Sequence, residues 1–122
     1  MSSTQMIIAV VLGTVVLVGA LGYVALTGGD KPETEMDKFA KCLSENGATM
    51  YGLQTCPHCQ EQKGMFGSSF KFVSYVECSQ RRSLCSQKGI SSVPTWIVNG
   101  ERYVGVQSLG KLADITGCEP PA

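Results

Sequence analysis

The sequence predicts an α/β fold with a mixed four-stranded sheet between helices, preceded by one transmembrane helix. Three observations support this prediction: an uncharged apolar run opens the chain, helical and strand-like patterns alternate through the remainder, and a Cys-x-x-Cys pair joins a strand to a helix. The ten basic and ten acidic residues all lie at Asp30 or later and balance. We therefore expect no nucleic-acid partner, since nothing in this pattern indicates a basic surface.

The opening apolar run covers residues 6–26 and contains no charged residue. Its length is about what a helix needs to cross the hydrocarbon core of a bilayer. No Lys or Arg precedes the run and no Ala-x-Ala site precedes Asp30, which argues against a cleaved signal peptide. We predict a transmembrane anchor over residues 6–26, an exposed linker over residues 27–35 and a single domain over residues 36–122.

Two features of the sequence give opposite predictions for the side of the membrane on which the domain lies. Lys31, Lys38 and Lys41 follow the span, and the positive-inside rule taken alone would place the domain in the cytoplasm. The domain also contains six cysteines, an even number at a density expected where disulfides persist. We give the cysteines more weight and expect the domain on the extracytoplasmic side of a cell membrane.

The first half of the predicted domain alternates between helix and strand. The stretch EMDKFAKCLSENG has apolar residues at helical spacing and ends at Gly47, and ATMYGL is typical of a buried strand. CPHCQEQKGMFG predicts a second helix with Pro57 in its first turn. FKFVSYVEC alternates and is rich in β-branched and aromatic residues, so we predict a strand over residues 70–78.

The second half continues with at most two helical turns in SLCSQKG. VPTWIVNGERYVG has two strand-like halves around Asn99-Gly100, a strong hairpin signal. SLGKLADITG predicts a closing amphipathic helix with Ser108 as its N-cap. A strand-helix-strand crossover followed by a hairpin and a covering helix is the order of a thioredoxin-like fold.

The spacing of Cys56 and Cys59 suits a dithiol redox centre. Such a centre needs one thiol that ionises near neutral pH and a second that can resolve a mixed disulfide. At the N-terminus of the predicted helix, unpaired backbone N–H groups and the helix dipole would stabilise a Cys56 thiolate, with Cys59 on the same face. We predict Cys56 as the nucleophile, Cys59 as the resolving thiol, and Pro57 as the residue that fixes the first turn.

His58 is the only histidine and lies between the two cysteines. We predict that its imidazole stabilises the Cys56 thiolate, which would favour the reduced form and make the disulfide a stronger oxidant. The alternative is an exposed histidine without that role. Glu61 and Glu77 are the nearest acids, and the sequence assigns neither of them as a proton relay.

Pro94 opens the strand that follows the short helix. X-Pro bonds are the only ones that readily become cis, and in the thioredoxin-like folds that this order resembles a cis-proline faces the redox pair. We therefore expect a cis Val93-Pro94 bond that supports the active site. The alternative is a trans proline at the start of an edge strand. Trp96, two residues on, is expected in the core.

Four further cysteines are expected to form two pairs. Cys42 lies near the end of the first domain helix and Cys118 just beyond the last, so a bridge between them would tie the ends of the domain together. Cys78 and Cys85 are close enough to pair locally, at the sheet edge where Cys56 also emerges. This second pair is either structural or a second redox pair. A zinc site made from it and the Cys-x-x-Cys pair is the rival hypothesis, although the second pair lacks the usual knuckle spacing.

A resemblance covers Phe39 to Cys118 and rests on FAKCL, GATMYG, CPHCQEQKGMFG, YVEC, VPTWIVNGERYVGVQSL and TGC, in that order. The chain resembles a branch of the thioredoxin superfamily that is often fused behind vitamin K epoxide reductase homologues in bacteria and plants. The resemblance implies that the Cys-x-x-Cys pair exchanges disulfides with secreted substrates. It also implies that a four-helix membrane reductase homologue reoxidises the pair and passes electrons to quinone, and that cysteines occupy the positions of Cys78 and Cys85.

This chain departs from that pattern in two ways. Thr55 replaces the aromatic residue that often precedes the first active cysteine, and a single helix without cysteine replaces the reductase. We therefore expect a stand-alone, membrane-anchored thiol-disulfide oxidoreductase that oxidises cysteines in exported proteins, needs no cofactor of its own, and is recycled by a separate quinone-linked membrane oxidoreductase. The alternative is a disulfide reductase or isomerase of the same fold, because the sequence leaves the direction of electron flow open.

Overall fold

The computed structural model describes residues 2–26 and 31–122, in two compact units, Met1–Pro32 and Glu33–Ala122, that are considered separately. Residues 27–30 of the predicted linker lie outside the described residues. In the first unit, helix α1 spans Ser3–Leu26. Its stretch Ser3–Gly22 has a mean hydropathy of 2.3 and exposed side chains, so this helix is long and apolar enough to cross a membrane.

The second unit is an α/β domain with one sheet in the order β2-β1-β3-β4. Strands β1 and β2 are parallel, and β3 is antiparallel to both β1 and β4. The predicted mixed four-stranded sheet of a thioredoxin-like fold is confirmed. The elements in chain order are α2 (Glu35–Glu45), β1 (Ala48–Gly52), α3 (Pro57–Phe66), a 3₁₀ helix (Gly67–Phe72), β2 (Ser74–Glu77), α4 (Arg82–Gln87), β3 (Thr95–Val98), β4 (Glu101–Val104) and α5 (Leu109–Thr116).

Local sequence signals explain where the helices begin and end. The first turn of α2 is held by a capping box, in which the Asp37 N–H donates to Thr34 Oγ1 at 3.1 Å and the Thr34 N–H donates to Asp37 Oδ2 at 2.9 Å. Gly47 follows α2 with a φ of +81°, a conformation that favours glycine, and leads the chain into β1. Ser108 caps α5 as predicted, because its Oγ accepts the Lys111 N–H at 3.1 Å.

The predicted strand over residues 70–78 is partly wrong, because β2 is shorter and the 3₁₀ helix precedes it. A strand needs a partner, and the parallel register starts at the pair Thr49 and Ser74, only one residue after β1 begins. The Ser44 hydroxyl binds the backbone at the start of β2: it donates to the Phe72 carbonyl at 2.7 Å and accepts the Ser74 N–H at 2.8 Å. These contacts satisfy backbone groups that a longer strand would have paired.

The core of the domain brings together α2, α3, α5 and the two central strands, β1 and β3. Trp96 is fully buried within it, as expected. Its indole N–H donates to Oε1 of Gln62, a fully buried residue of α3, at 3.0 Å. The same Gln62 oxygen accepts the Gln107 N–H at 2.7 Å. The Gln62 amide therefore connects α3 to β3 and to the segment before α5 through hydrogen bonds. Other large core residues are Phe39, Leu43, Met50, Phe66 and Leu112.

Candidate active site

The site lies where β1 ends and α3 begins. Cys56 is the N-cap of α3, Pro57 is the first helical residue and Cys59 follows within the first turn. Both cysteines are free thiols, and Cys56 is partly exposed whereas Cys59 is buried. The Cys59 N–H donates to Cys56 Sγ at 3.3 Å. The sulfur of Cys56 thus fills the capping role that a Ser or Asp oxygen usually fills, which places it at the positive end of the helix.

The two thiols differ in acidity. Burial raises the pKa of Cys56, but hydrogen bonds from Cys59 and the backbone N–H of His58 outweigh that effect and hold this pKa below its ordinary value. Burial and the hydrogen bond to Cys56 raise the pKa of Cys59 to about 11. Cys56 is therefore the more acidic of the two thiols, and Cys59 stays protonated near neutral pH.

The Val93–Pro94 peptide bond is cis. The Val93 carbonyl lies 3.7 Å from Cys56 Sγ and accepts a hydrogen bond from this thiol. Pro94 is fully buried and immediately precedes β3. The predicted site residues Cys56, Cys59, Pro57 and Pro94 thus lie together at one edge of the sheet.

The structure does not support the role predicted for the His58 side chain, which was to stabilise the Cys56 thiolate. The imidazole is exposed and its Nδ1 lies 3.4 Å from Glu61 Oε2. Among the described residues, the imidazole makes no hydrogen bond to Cys56. It is the backbone N–H of His58 that stabilises the thiolate. The reason is geometric: at the second position of a helix the N–H points to the cap, whereas the side chain projects outwards.

The four remaining cysteines are bonded in two pairs. Cys42 and Cys118 form one disulfide and Cys78 and Cys85 form the other. The second pair lies at the same sheet edge as the free thiols, since the Cys78 N–H donates to the carbonyl of Gly52 at 2.9 Å. Among the described residues, no group of three or more His, Cys, Asp or Glu side chains is arranged to hold a metal ion. The four-cysteine zinc arrangement would also require the second pair to be unbonded.

The sequence did not indicate that Lys63, Tyr75 and Glu77 form a cluster near Cys59. Tyr75 on β2 donates its hydroxyl to Glu77 Oε2 at 2.6 Å, and Lys63 Nζ lies 4.0 Å from the centre of the Tyr75 ring. An open pocket of about 510 Å³ is lined by these three side chains and by Gln54. Only the parallel register of β1 and β2 reveals this group, although the position of Lys63, four residues after Cys59, was a usable signal.

Curated relatives of this chain include two plant proteins, and no family model matches the chain. The chain is 40% identical over 88 residues to a protein named "Thiol-disulfide oxidoreductase LTO1" from Arabidopsis thaliana, which covers 65% of this chain and 23% of the relative. It is 32% identical over 78 residues to "Protein disulfide isomerase-like 2-2" from Oryza sativa subsp. japonica, covering 52% of this chain and 21% of the relative. The chain therefore spans less than a quarter of the length of these relatives.

Solved structures with a similar fold include glutaredoxins. A buckwheat glutaredoxin–glutathione complex gives a TM-score of 0.44 at 20% identity and covers 72% of this chain and 93% of its own. Oxidized glutaredoxin 2 from Chlamydomonas reinhardtii gives 0.43 at 22% identity, with 70% and 95% of the two chains covered.

Proposed function

We propose that this chain is a thiol-disulfide oxidoreductase, anchored by α1 in a membrane, that oxidises cysteines in exported proteins. The observation that carries the proposal is the environment of Cys56. Its partly exposed sulfur accepts the Cys59 N–H at the start of α3 and lies next to the cis Val93–Pro94 bond. A stabilised thiolate beside a buried second thiol is what disulfide exchange requires. The names of the two relatives agree with this chemistry.

The proposed cycle transfers two electrons from substrate to protein. A substrate thiolate attacks Cys56 Sγ of the Cys56–Cys59 disulfide, a mixed disulfide forms, and Cys59 leaves as a thiolate that takes a proton. A second substrate thiolate then attacks the substrate sulfur of the mixed disulfide and releases the Cys56 thiolate. The substrate leaves with one new disulfide, and the protein holds two reduced cysteines.

The lowered pKa of Cys56 supports the oxidising direction of electron flow. Hydrogen bonds that lower its pKa stabilise the reduced protein, and a stabilised reduced form makes the corresponding disulfide a stronger oxidant. The two further disulfides favour an extracytoplasmic position for the domain. The reduced cysteines would be reoxidised by a quinone-linked, vitamin K epoxide reductase-like membrane protein, and α1 would keep the domain near that partner.

A second candidate function is disulfide reduction or isomerisation with the same two cysteines. The similarity to a protein named as disulfide isomerase-like favours it. The two candidates differ in the reduction potential of the Cys56–Cys59 pair. Redox titration of the full chain in detergent should give a potential well above that of thioredoxin, about −270 mV, if the protein is an oxidant. A value at or below that level would favour the reductase.

The catalytic claim is tested by trapping. In a Cys59→Ser variant, Cys59 can no longer resolve the mixed disulfide on Cys56, so exported proteins should accumulate as covalent adducts that a reducing agent releases. The matched control is the Cys56→Ser/Cys59→Ser variant, which keeps the other two disulfides and should trap nothing. If both variants yield the same adducts, Cys56 is not the exchanging residue and the proposed function is wrong.

A further inference from the structure

Lys63 is a charged residue near Cys59 to which the proposed function gives no role. It lies four residues after Cys59 on α3, so the two side chains project from the same face of the helix. Its Nζ lies 4.0 Å from the centre of the Tyr75 ring and 5.5 Å from that of Phe70. The faces of these rings attract the ammonium group and hold it on the side of α3 that covers the sheet.

Tyr75 is fixed in turn by its neighbours. Its hydroxyl donates to Glu77 Oε2 at 2.6 Å, and the other oxygen of that carboxylate accepts from Ser79 Oγ at 2.7 Å. Gly52 lets the ring approach the buried sulfur: a Cβ on Gly52 would lie 3.1 Å from Cys59 Sγ and 3.2 Å from Tyr75 Cε2. The Tyr75 ring is therefore close to Cys59 Sγ and in contact with the ammonium group of Lys63, whose charge acts on Cys59.

We propose that Lys63 stabilises the thiolate form of Cys59 during disulfide exchange, and that Tyr75 and Glu77 are the positioning residues that hold its ammonium group there. This inference rests on the proposed function. In the step concerned, Cys59 loses its proton to solvent and attacks Cys56 Sγ of a mixed disulfide. The Cys56–Cys59 bond forms, the bond from Cys56 to the partner sulfur breaks, and that sulfur leaves with the electron pair as a thiolate. The same charge appears on Cys59 when the step runs in reverse.

The groups that face Cys59 explain why a single positive charge matters. Among the described residues, these groups are Cys56 and Lys63 from α3 and Tyr75 from β2, with Glu77 behind Tyr75. Burial and Cys56 raise the pKa of Cys59 to about 11, and the charge of Lys63 opposes that rise. The thiolate is scarce at neutral pH, so the rate of the step follows its population. A tenfold loss of thiolate gives a net loss of about threefold in rate, because the more basic thiolate is about threefold more nucleophilic.

The experiment follows single turnover of the full chain in detergent, with Cys56 and Cys59 reduced, after mixing with dithiobis(nitrobenzoate). Attack by Cys56 releases one coloured nitrothiolate, and resolution by Cys59 releases a second. We expect Lys63→Met to slow the second release about threefold and to move its pH profile upwards, with the first release unchanged. Lys63→Arg should restore the second release, and Tyr75→Phe, which keeps the ring but loses the Glu77 hydrogen bond, should show a smaller loss.

The matched control is Lys111→Met, on α5. Lys111 also lies over a tyrosine, 5.6 Å from the centre of the Tyr103 ring, so this variant removes the same charge and the same kind of contact elsewhere. The inference is overturned if the second release in Lys63→Met matches wild type at every pH. It is also overturned if Lys111→Met gives the same loss, or if Lys63→Arg fails to restore the rate. If wild type itself releases no second nitrothiolate, the proposed function fails with it.

Discussion

Removal of the two disulfides one at a time should reveal very different contributions to stability. Cys42–Cys118 closes a loop with a sequence separation of 76, whereas Cys78–Cys85 closes one of 7. The chain-entropy relation assigns about 4.5 kcal/mol to the long loop and about 2.5 kcal/mol to the short one. Each pair has one buried member, Cys118 or Cys85, so truncation to alanine leaves comparable cavities. A difference of about 2 kcal/mol should therefore come from loop length.

The measurement is urea unfolding of the Cys42→Ala/Cys118→Ala and Cys78→Ala/Cys85→Ala variants in detergent, with wild type alongside. Trp96 is the only tryptophan and is fully buried, so its fluorescence follows the unfolding of the domain without a label. The variant that lacks the Cys42–Cys118 disulfide should unfold at the lower urea concentration. The dependence of its unfolding free energy on urea concentration should be similar to that of the other variant. If the short-loop variant is the less stable, the entropic reasoning is wrong and the second disulfide stabilises the sheet edge through native contacts.

Three further predictions concern the site and its support. Gln62→Leu should cost about 2–4 kcal/mol by urea unfolding, because the buried Trp96 indole N–H and a backbone N–H lose their common acceptor; an unchanged midpoint would contradict this. Gly52→Ala should slow closure of the Cys56–Cys59 disulfide and cost about 1–3 kcal/mol, because the new Cβ meets Cys59 Sγ at 3.1 Å; wild-type closure kinetics would refute it. Alkylation of reduced Cys56 should reach half its maximal rate below pH 9.0, the ordinary pKa from which the thiol is lowered in the folded protein; a midpoint above 9.0 would show that burial dominates.

Much of the fold could be predicted because local signals coincide with its boundaries. Gly47 ends α2, Ser108 caps α5, and Asn99-Gly100, both at positive φ, turn β3 into β4. The strand over residues 70–78 was partly wrong because alternation reports the burial of side chains and not the presence of a partner strand. The contacts of Ser44 with the backbone at the start of β2 are tertiary, and nothing in the local pattern indicates them.

The candidate site was predictable to the extent that it is local. Cys56 and Cys59 share one helical turn, so spacing alone brings them together. Tyr75 lies near Cys59 because β2 pairs with β1 in a parallel register and because Gly52 has no side chain to separate the ring from the sulfur. Neither feature can be read from the sequence. The role predicted for the imidazole of His58 has no support in the structure, because proximity along the chain does not fix the direction in which a side chain projects.

On the proposed function, different residues control the direction of electron flow and its rate. In the reduced protein Cys56 is the more acidic thiol and ionises first, whereas Cys59 stays protonated near neutral pH. The N–H groups at the start of α3 stabilise a charge that is present at equilibrium, so they raise the reduction potential. Lys63 stabilises a charge that exists on Cys59 only during exchange. Lys63→Met should therefore leave the potential of the Cys56–Cys59 pair within about 10 mV of wild type while slowing exchange in both directions, since the same thiolate forms on either path.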